Sequence, residues 1–283
     1  MVKEKVLLGI AKLGNIGTSL PLELLFDERA DRKDLDVRVV GSGAKLGVEE
    51  AEQVVTKLLE FTPDLVLVSS PNATIPGPTR ARELLAEKAV PTIVLTDAPG
   101  KKAISDIEAK GQGYFIMLGD PIIGARREFL DPTEMVLFNT DVLKVLAVSG
   151  ALALITQEVA KVVEHLKGRR PIELPRLVID TETAIAHARF MNPYAAAKAT
   201  AAYEMAKTAA GINTRACFVA KDMEEYIHLA ATGHELIRSA ANLIMEAREL
   251  EKGNDTVLRE PHKHGELLTK RELISKPRPK SEG

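Results

Sequence analysis

The stretch "KLGNIGTS" (residues 12–19) directly follows an apolar run, Val6 to Ile10. Gly14 and Gly17 occupy the second and third glycine positions of a G-x-G-x-x-G turn, and Lys12 replaces the first. Such a turn lets backbone N–H groups approach a phosphate or carboxylate at a helix start. The acid that would grip a nucleotide ribose at the end of the second strand is missing: that run ends "VVGSG", and Asp36 stands at its start. The spacing therefore predicts an anionic ligand that is not NAD, with a bare βα turn as the alternative. Three further loops carry chemistry-bearing residues. "SSPNATIPGPTRAR" (69–82) has three prolines and a glycine and is stiff around Asn72 and Gly77. "TDAPGKKA" (96–103) places Asp97 at a strand end, with Lys101 and Lys102 more typical of solvated residues. "GDPIIGARREFLDPTEM" (119–135) carries adjacent Arg126 and Arg127, which either clamp a phosphate or carboxylate bidentately or pair with Glu128 or Asp131.

These loops need a scaffold that brings them to one edge. Nearly continuous apolar runs at 5–11, 36–43, 64–70, 91–98 and 114–120 alternate with helical patterns at about 18–29, 47–61, 78–89 and 100–110. Strands of that kind are covered on both faces, and the βαβ rhythm predicts an open parallel sheet. Ligands bind beyond the carboxyl ends of such strands, where all four loops leave. The pattern changes at "DPTE": Asp131 reads as an N-cap, Pro132 as the first helical residue and Glu134 as the third of a capping box. An apolar helix follows to about Lys167 with a break at Gly150, then an extended connector, "GRRPIELPRLVI". Asn192-Pro193 starts an Ala-rich helix expected to stop at Gly211, and "TRACFVA" (214–220) reads as a short strand. Asp222 caps a further helix to Lys252-Gly253. A small hairpin around Gly265 and a polar tail complete the chain. The expected fold class is α/β: an open parallel-sheet domain over 1–130, a helical part over 131–253, and a small C-terminal β segment over 254–283.

Composition excludes several classes. The chain has 45% hydrophobic and 28% charged residues and a net charge of −2, ordinary for a globular protein and without a field favouring nucleic acid or an anionic membrane. The single cysteine, Cys217, lies in an apolar run, is read as buried and inert, and rules out an intrachain disulfide. His228 and His234 are six apart and off helical register, so a shared metal is not expected; His262 and His264 alternate but lack a third ligand nearby. The sequence holds no G-x-S-x-G, Walker loop or C-x-x-C, and nothing suggests covalent or metal catalysis.

Taken in order, the motifs resemble the coenzyme F420-dependent methylenetetrahydromethanopterin dehydrogenases of methanogenic and related archaea. The resemblance rests on "KLGNIGTS", "LFDERADRKDLDVRVVGSGAK" (25–45), "PNATIPGPTRAREL" (71–84), "TDAPG" (96–100) and "IIGARREFLDPTEM" (122–135). In the second half it rests on "NPYAAAKA" (192–199), "EARELEKGNDTVLREPH" (246–262) and "LTKREL" (268–273). This chain reads "SSPNATIPGP" where the family reads close to "GGPNPAAPGP", "TDAPG" for the usual "GDAPG", and Leu13 where cysteine is common. The resemblance implies a cytoplasmic homo-oligomer, a trimer of dimers, with no nucleic-acid or membrane partner. It also implies reversible hydride transfer between a pterin methylene carbon and the deazaflavin F420, a dissociable cosubstrate, with no metal or prosthetic group.

Such a reaction needs donor and acceptor carbons held at about 3–3.5 Å and water kept out. Hydride removal leaves a cation that a nearby carboxylate would stabilise. Asp97 and Asp120, both at strand ends, are the catalytic candidates; capping a helix or pairing with lysine is the alternative use of each. Candidate cofactor contacts are Lys12, Gly14, Asn15, Gly17, Thr18 and Ser19 in the first turn, and Pro71, Asn72, Gly77 and Pro78 along the deazaflavin ring. Arg126, Arg127 and Glu128 are the substrate-binding candidates. The competing readings are an NAD(P)-dependent dehydrogenase and a non-catalytic ligand-sensing α/β protein.

Overall fold

The structure is a computed structural model that describes residues 4–30, 32–168, 170–263 and 266–279. The expected βαβ alternation is present: β1 (Val6–Lys12), α1 (Leu22–Phe26), β2 (Leu35–Gly41), α2 (Val48–Leu59), β3 (Leu65–Ser70), α3 (Pro76–Glu87), β4 (Thr92–Asp97), α4 (Ile104–Ala109) and β5 (Gly113–Met117). Then follow α5 (Pro132–Val148), α6 (Ala151–Lys167), β6 (Arg176–Ile179), α7 (Thr181–Ala188), α8 (Pro193–Phe218), α9 (Met223–Gly253), β7 (His262–Lys263), β8 (Glu266–Thr269) and β9 (Arg278–Pro279). One sheet has the order β2-β1-β3-β4-β5-β6, with the first five strands paired in parallel. A second, three-stranded sheet has the order β7-β8-β9, with antiparallel pairs. The tip of the expected hairpin at His264 and Gly265 lies outside the described residues. Among the described residues no single helix is long and apolar enough to cross a membrane.

The chain divides into two compact units, Met1–Met117 with Ile155–Val178, and Leu118–Leu154 with Ile179–Gly283. This division is spatial, so it interleaves segments that the linear division at 130 and 253 keeps whole. In the first unit every residue of β3, β4 and β5 is buried, as covered parallel strands require. One face of the sheet packs Val66 and Val68 against Val54, Val55 and Leu58 of α2 and Ala81 and Leu85 of α3. Gly77, in the first turn of α3, makes this packing close. A Cβ there would collide with the Leu46 carbonyl oxygen and stand 2.6 Å from that of Gly47, so helix and backbone touch with no side chain between. Gly77→Ala is expected to push α3 off the 46–47 backbone and to lower stability by about 1–3 kcal/mol. Calorimetry should read this as a fall in Tm of roughly 2–12 °C.

Three sequence expectations are corrected. The helix expected over 18–29 is a 3-10 turn, Gly17–Ser19, followed by the five-residue α1, because Pro21 and Asp27 interrupt it. The Ala-rich helix does not stop at Gly211, and 214–220 is no strand: α8 runs through Gly211 to Phe218. Gly211 costs about 1 kcal/mol in a helix interior. The buried stripe Ala199, Ala202, Ala206, Ala209, Asn213 and Ala216 nevertheless keeps helical spacing across it and packs along α9. The extended connector contains β6, which completes the large sheet; Tyr114 N–H donates to the Pro175 carbonyl at 2.7 Å beside it. The break at Gly150 is present, at φ +95°, where a Cβ would stand 2.5 Å from the Ala184 carbonyl oxygen.

Candidate functional site

In the first unit the turns after β1, β3 and β4 leave the same edge of the sheet. Lys12, the last residue of β1, stands opposite Gly41 and Ser69 and is half-buried. No ion pair engages its ammonium among the described residues. Gly14 adopts φ +72°, and a Cβ there would meet Leu46 Cδ2 at 2.8 Å and Pro71 Cδ at 3.3 Å. Glycine is thus needed twice over, for the left-handed backbone and for the approach of the first turn to the third. Asn15 is exposed at the tip. Gly17, Thr18 and Ser19 are buried, and the Ser19 hydroxyl is used locally: it accepts from Ile16 N–H at 3.3 Å and donates to the Ile16 carbonyl at 2.8 Å. The helix dipole expected to attract an anion here is weak, since α1 has five residues and follows a separate 3-10 turn.

The loop after β3 is shorter than expected, because α3 begins at Pro76. Asn72 Oδ1 accepts from Thr74 N–H at 3.0 Å and its hydroxyl at 2.7 Å, which folds the loop on itself. Pro71 is half-buried at the loop's start. Gly77 and Pro78 are buried in the first helical turn, where Gly77 serves packing. Ser69 and Ser70 end β3, each 1% exposed, and neither hydroxyl has a hydrogen-bond partner among the described residues. Register sets Ser69 beside Lys12 and Leu95, and Ser70 beside Thr96. Asp97 closes β4 opposite Met117, is 2% exposed, and does not cap the 3-10 helix that follows. Lys101 and Lys102 are exposed.

A residue the sequence reading missed supports this edge from beneath. Arg82 is 1% exposed, and its guanidinium donates to the Ala73 carbonyl at 3.0 Å, Thr79 Oγ1 at 3.3 Å and Asp106 Oδ2 at 2.6 Å. Its own carbonyl accepts from Gln112 Nε2 at 2.9 Å. Ala73 N–H in turn donates to Thr96 Oγ1 at 3.1 Å. The loop after β3 is therefore fixed to the end of β4 and to α4. Hydrogen bonds from Lys110 and then Arg82 hold the Asp106 carboxyl below its usual range. The signal was in the spacing: Gly77, Pro78, Ala81, Arg82 and Leu85 make one buried stripe with an arginine inside it.

The second unit holds the remaining candidates. Asp120 is 2% exposed and follows Gly119, where a Cβ would stand 2.5 Å from Tyr203 Cζ. The Tyr203 hydroxyl donates to the Ile179 carbonyl at 2.9 Å; burial, with the Asp120 charge adding to it, pushes that hydroxyl far above its ordinary pKa. Arg126 and Arg127 do not act as one fork. Arg126 stacks on the Tyr226 ring at 3.7 Å and donates to the Cys217 carbonyl at 3.3 Å. Arg127 and Glu128 are exposed. A hydrogen bond from its own backbone, then one from Tyr226, then the Arg126 and Arg127 charges hold the Glu128 carboxyl below its usual range. Cys217 is half-buried rather than buried, and desolvation raises its thiol pKa. Of the two histidines weighed as a metal pair, His228 is exposed, whereas His234 is buried and bonded through both ring nitrogens.

A family model for methylene-5,6,7,8-tetrahydromethanopterin dehydrogenase matches residues 6–278. The chain belongs to this family. A curated member from Methanobrevibacter smithii, named F420-dependent methylenetetrahydromethanopterin dehydrogenase, is 53% identical over 273 residues, 96% of this chain and 99% of that protein. The members so named from Archaeoglobus fulgidus and Methanocaldococcus jannaschii are 53% and 47% identical, with the same coverage. A solved structure described as an F420 dependent methylene-tetrahydromethanopterin dehydrogenase, in complex with methylene-tetrahydromethanopterin and coenzyme F420, superposes with a TM-score of 0.94. It is 42% identical and covers 97% of this chain and 100% of that one. The α/β architecture of this dehydrogenase family is thus the one built here, down to the small C-terminal β segment.

Proposed function

We infer that this protein is an oxidoreductase that moves a hydride reversibly between 5,10-methylenetetrahydromethanopterin and coenzyme F420 in archaeal one-carbon metabolism. The observation that carries the reading is likeness along nearly the whole chain, at 42% identity and a TM-score of 0.94, to a structure holding both reactants. The residues at the first unit's sheet edge fit an anionic cosubstrate without a nucleotide sugar. Among the described residues Lys12 offers an uncommitted positive charge and Ser69 and Ser70 offer buried hydroxyls in need of partners, and β2 ends in Val40-Gly41 with no carboxylate. That last feature disfavours an NAD(P)-dependent enzyme.

When bound, the deazaflavin supplies the carbon that takes the hydride. This chain's residues bind and orient. Lys12, Gly14 and Asn15 receive the charged part of the cosubstrate, and the Pro71–Asn72 turn, pinned by Arg82 and Thr96, makes a wall that need not reorganise on binding. Gly17, Thr18, Ser19, Gly77 and Pro78 shape these turns from within. Asp97 and Asp120 place negative charge where positive charge develops on the pterin, and Arg127 with Glu128 meets its polar portion. Arg126 holds the segment that carries them. The exposed Tyr194, Phe218, Val219, Met223 and Ile274 side chains fit burial between subunits of a homo-oligomer, read as a trimer of dimers. The expected compartment is the cytoplasm.

The test is an anaerobic assay of deazaflavin absorbance. With methylene-tetrahydromethanopterin present the oxidised chromophore should bleach, and with methenyl-tetrahydromethanopterin and reduced F420 it should return. Bleaching with NAD(P) in place of F420, or F420 binding without bleaching, would overturn the assignment.

A further inference from the structure

Two consecutive carbonyls at the root of the arginine-bearing segment are held by side chains from different helices. Asn213 Nδ2 of α8 donates to the Ile122 carbonyl at 2.6 Å, and His234 Nε2 of α9 lies 2.7 Å from the Ile123 carbonyl. Gly124 then turns the chain at φ +73°, and Arg126, Arg127 and Glu128 follow. The other ring nitrogen, His234 Nδ1, lies 2.7 Å from Glu134 Oε1 in the first turn of α5. The sequence assigns Glu134 to a capping box, but its side chain goes to His234, and Asp131 alone caps the helix, accepting from Glu134 N–H at 2.8 Å. The imidazole is 7% exposed, edge-on to Phe129 and 4.4 Å from the Phe138 ring. A Cβ at Gly233, beside it, would run into the Asn213 amide and displace it.

Proton counting makes this arrangement conditional. A neutral imidazole has one N–H, and a backbone carbonyl and a carboxylate are both acceptors. Two donated bonds require an imidazolium. Glu134 keeps more than a third of its side chain in solvent, which favours the carboxylate as the anionic partner. We propose that His234 and Glu134 form an imidazolium–carboxylate clasp that positions the 122–131 segment, and that the grip of Arg127 on the pterin depends on its proton. The second half of this statement rests on the proposed function. Glu134 is the charged group that α5 sets against the ring. The segment itself brings Arg126 and Glu128, both engaged with Tyr226 of α9, and α8 brings the neutral Asn213. When the proton leaves, either Ile123 or Glu134 loses its donor, the ring no longer ties α5 to the segment, Asn213 and Arg126 are left to hold it to α8 and α9, and pterin affinity falls. The loss lies on the alkaline side.

The experiment compares the whole enzyme with Glu134→Gln and His234→Gln. In Glu134→Gln the new amide donates to Nδ1 of a neutral ring, whose Nε2–H still serves Ile123, so both bonds persist at every pH. Wild type should show kcat/KM for methylene-tetrahydromethanopterin falling with a one-proton dependence as pH rises, and Glu134→Gln should flatten that limb with kcat nearly unchanged. His234→Gln should raise pterin KM about tenfold, the worth of one hydrogen bond, at all pH values. Nitrogen-15 NMR of the imidazole should report both nitrogens protonated in wild type on the acidic side of that limb and one in Glu134→Gln. Amide exchange over 124–130 should quicken with pH in wild type alone. A singly protonated wild-type ring, or exchange that does not follow its titration, overturns the clasp. If both signatures appear while pterin KM ignores pH, the clasp stands and the assignment of Arg127 to the substrate fails.

Discussion

Arg82→Ala should be the most destabilising single change at the sheet edge, lowering stability by about 3 kcal/mol. The variant removes one of two donors to the buried Ala73 carbonyl, which keeps the Thr79 hydroxyl at 3.2 Å, a loss of about 0.5–1.5 kcal/mol. It also opens a cavity where a fully buried side chain stood, at a further cost that partial collapse limits. For a chain of this size the Tm should drop roughly 6–12 °C. Asp106 adds a pH signature. Its carboxyl is held below the usual value of 3.8, chiefly by Lys110 and Arg82, so its contribution is present above that value and disappears as pH falls through the lower folded-state value. Removing Arg82 weakens that contribution, so the Tm gap between wild type and variant should narrow in acid. Because Asp106 is nearly half exposed, the narrowing is a minor part of the gap. Thermal scans from neutral pH to about pH 3 would show it. An unchanged Tm would mean that the loop after β3 is held by something other than this guanidinium.

Asp97→Asn should slow hydride transfer about a hundredfold, the usual scale for one preorganised electrostatic contact, without abolishing it. The isosteric amide keeps the volume of a side chain that is 2% exposed at the end of β4. Loss of the fold is therefore not the expected cause, and Tm should stay within a few degrees. The reactants hold the electronics of the reaction themselves, so the protein's share is geometry and charge placement. Arg127→Ala should act differently, raising pterin KM several-fold with kcat little changed, since its side chain is exposed and its contribution is binding. Pre-steady-state absorbance at the deazaflavin band separates the two effects. Complete loss of turnover in Asp97→Asn with both ligands still bound would make Asp97 a proton-transfer group instead of a charge partner.

The parallel strands were legible because their apolar runs are continuous, and register follows from them: Val66 and Val68 face α2 and α3, and Leu65 and Leu67 face away. What escaped was decided by packing. Gly211 reads as a helix stop, yet the alanine stripe on either side of it keeps α8 intact against α9. The connector at 168–179 looks extended and unattached, and only the uncovered edge of β5 makes it a strand. At the candidate site the glycines of the first turn were readable from spacing, and Gly14 does adopt the left-handed backbone. Arg82 was overlooked because arginine on a helix is ordinarily solvated, and nothing local says that this one meets the Ala73 carbonyl. The Glu134–His234 pair was invisible because its partners stand 100 residues apart and Glu134 had a satisfactory local explanation in a capping box.

The order of the large sheet bears on how the chain is made. Five strands are complete once Met117 has been synthesised, but β6 arrives only with Arg176, after α5 and α6. At ordinary translation speeds that is a wait of about 3–12 s. During it the nascent protein carries a bare β5 rim able to pair with a neighbouring chain. Slowing the ribosome between these strands should lengthen the window for mispairing, so yield in a foreign host should respond to codon choice over 118–175 more than over any later stretch.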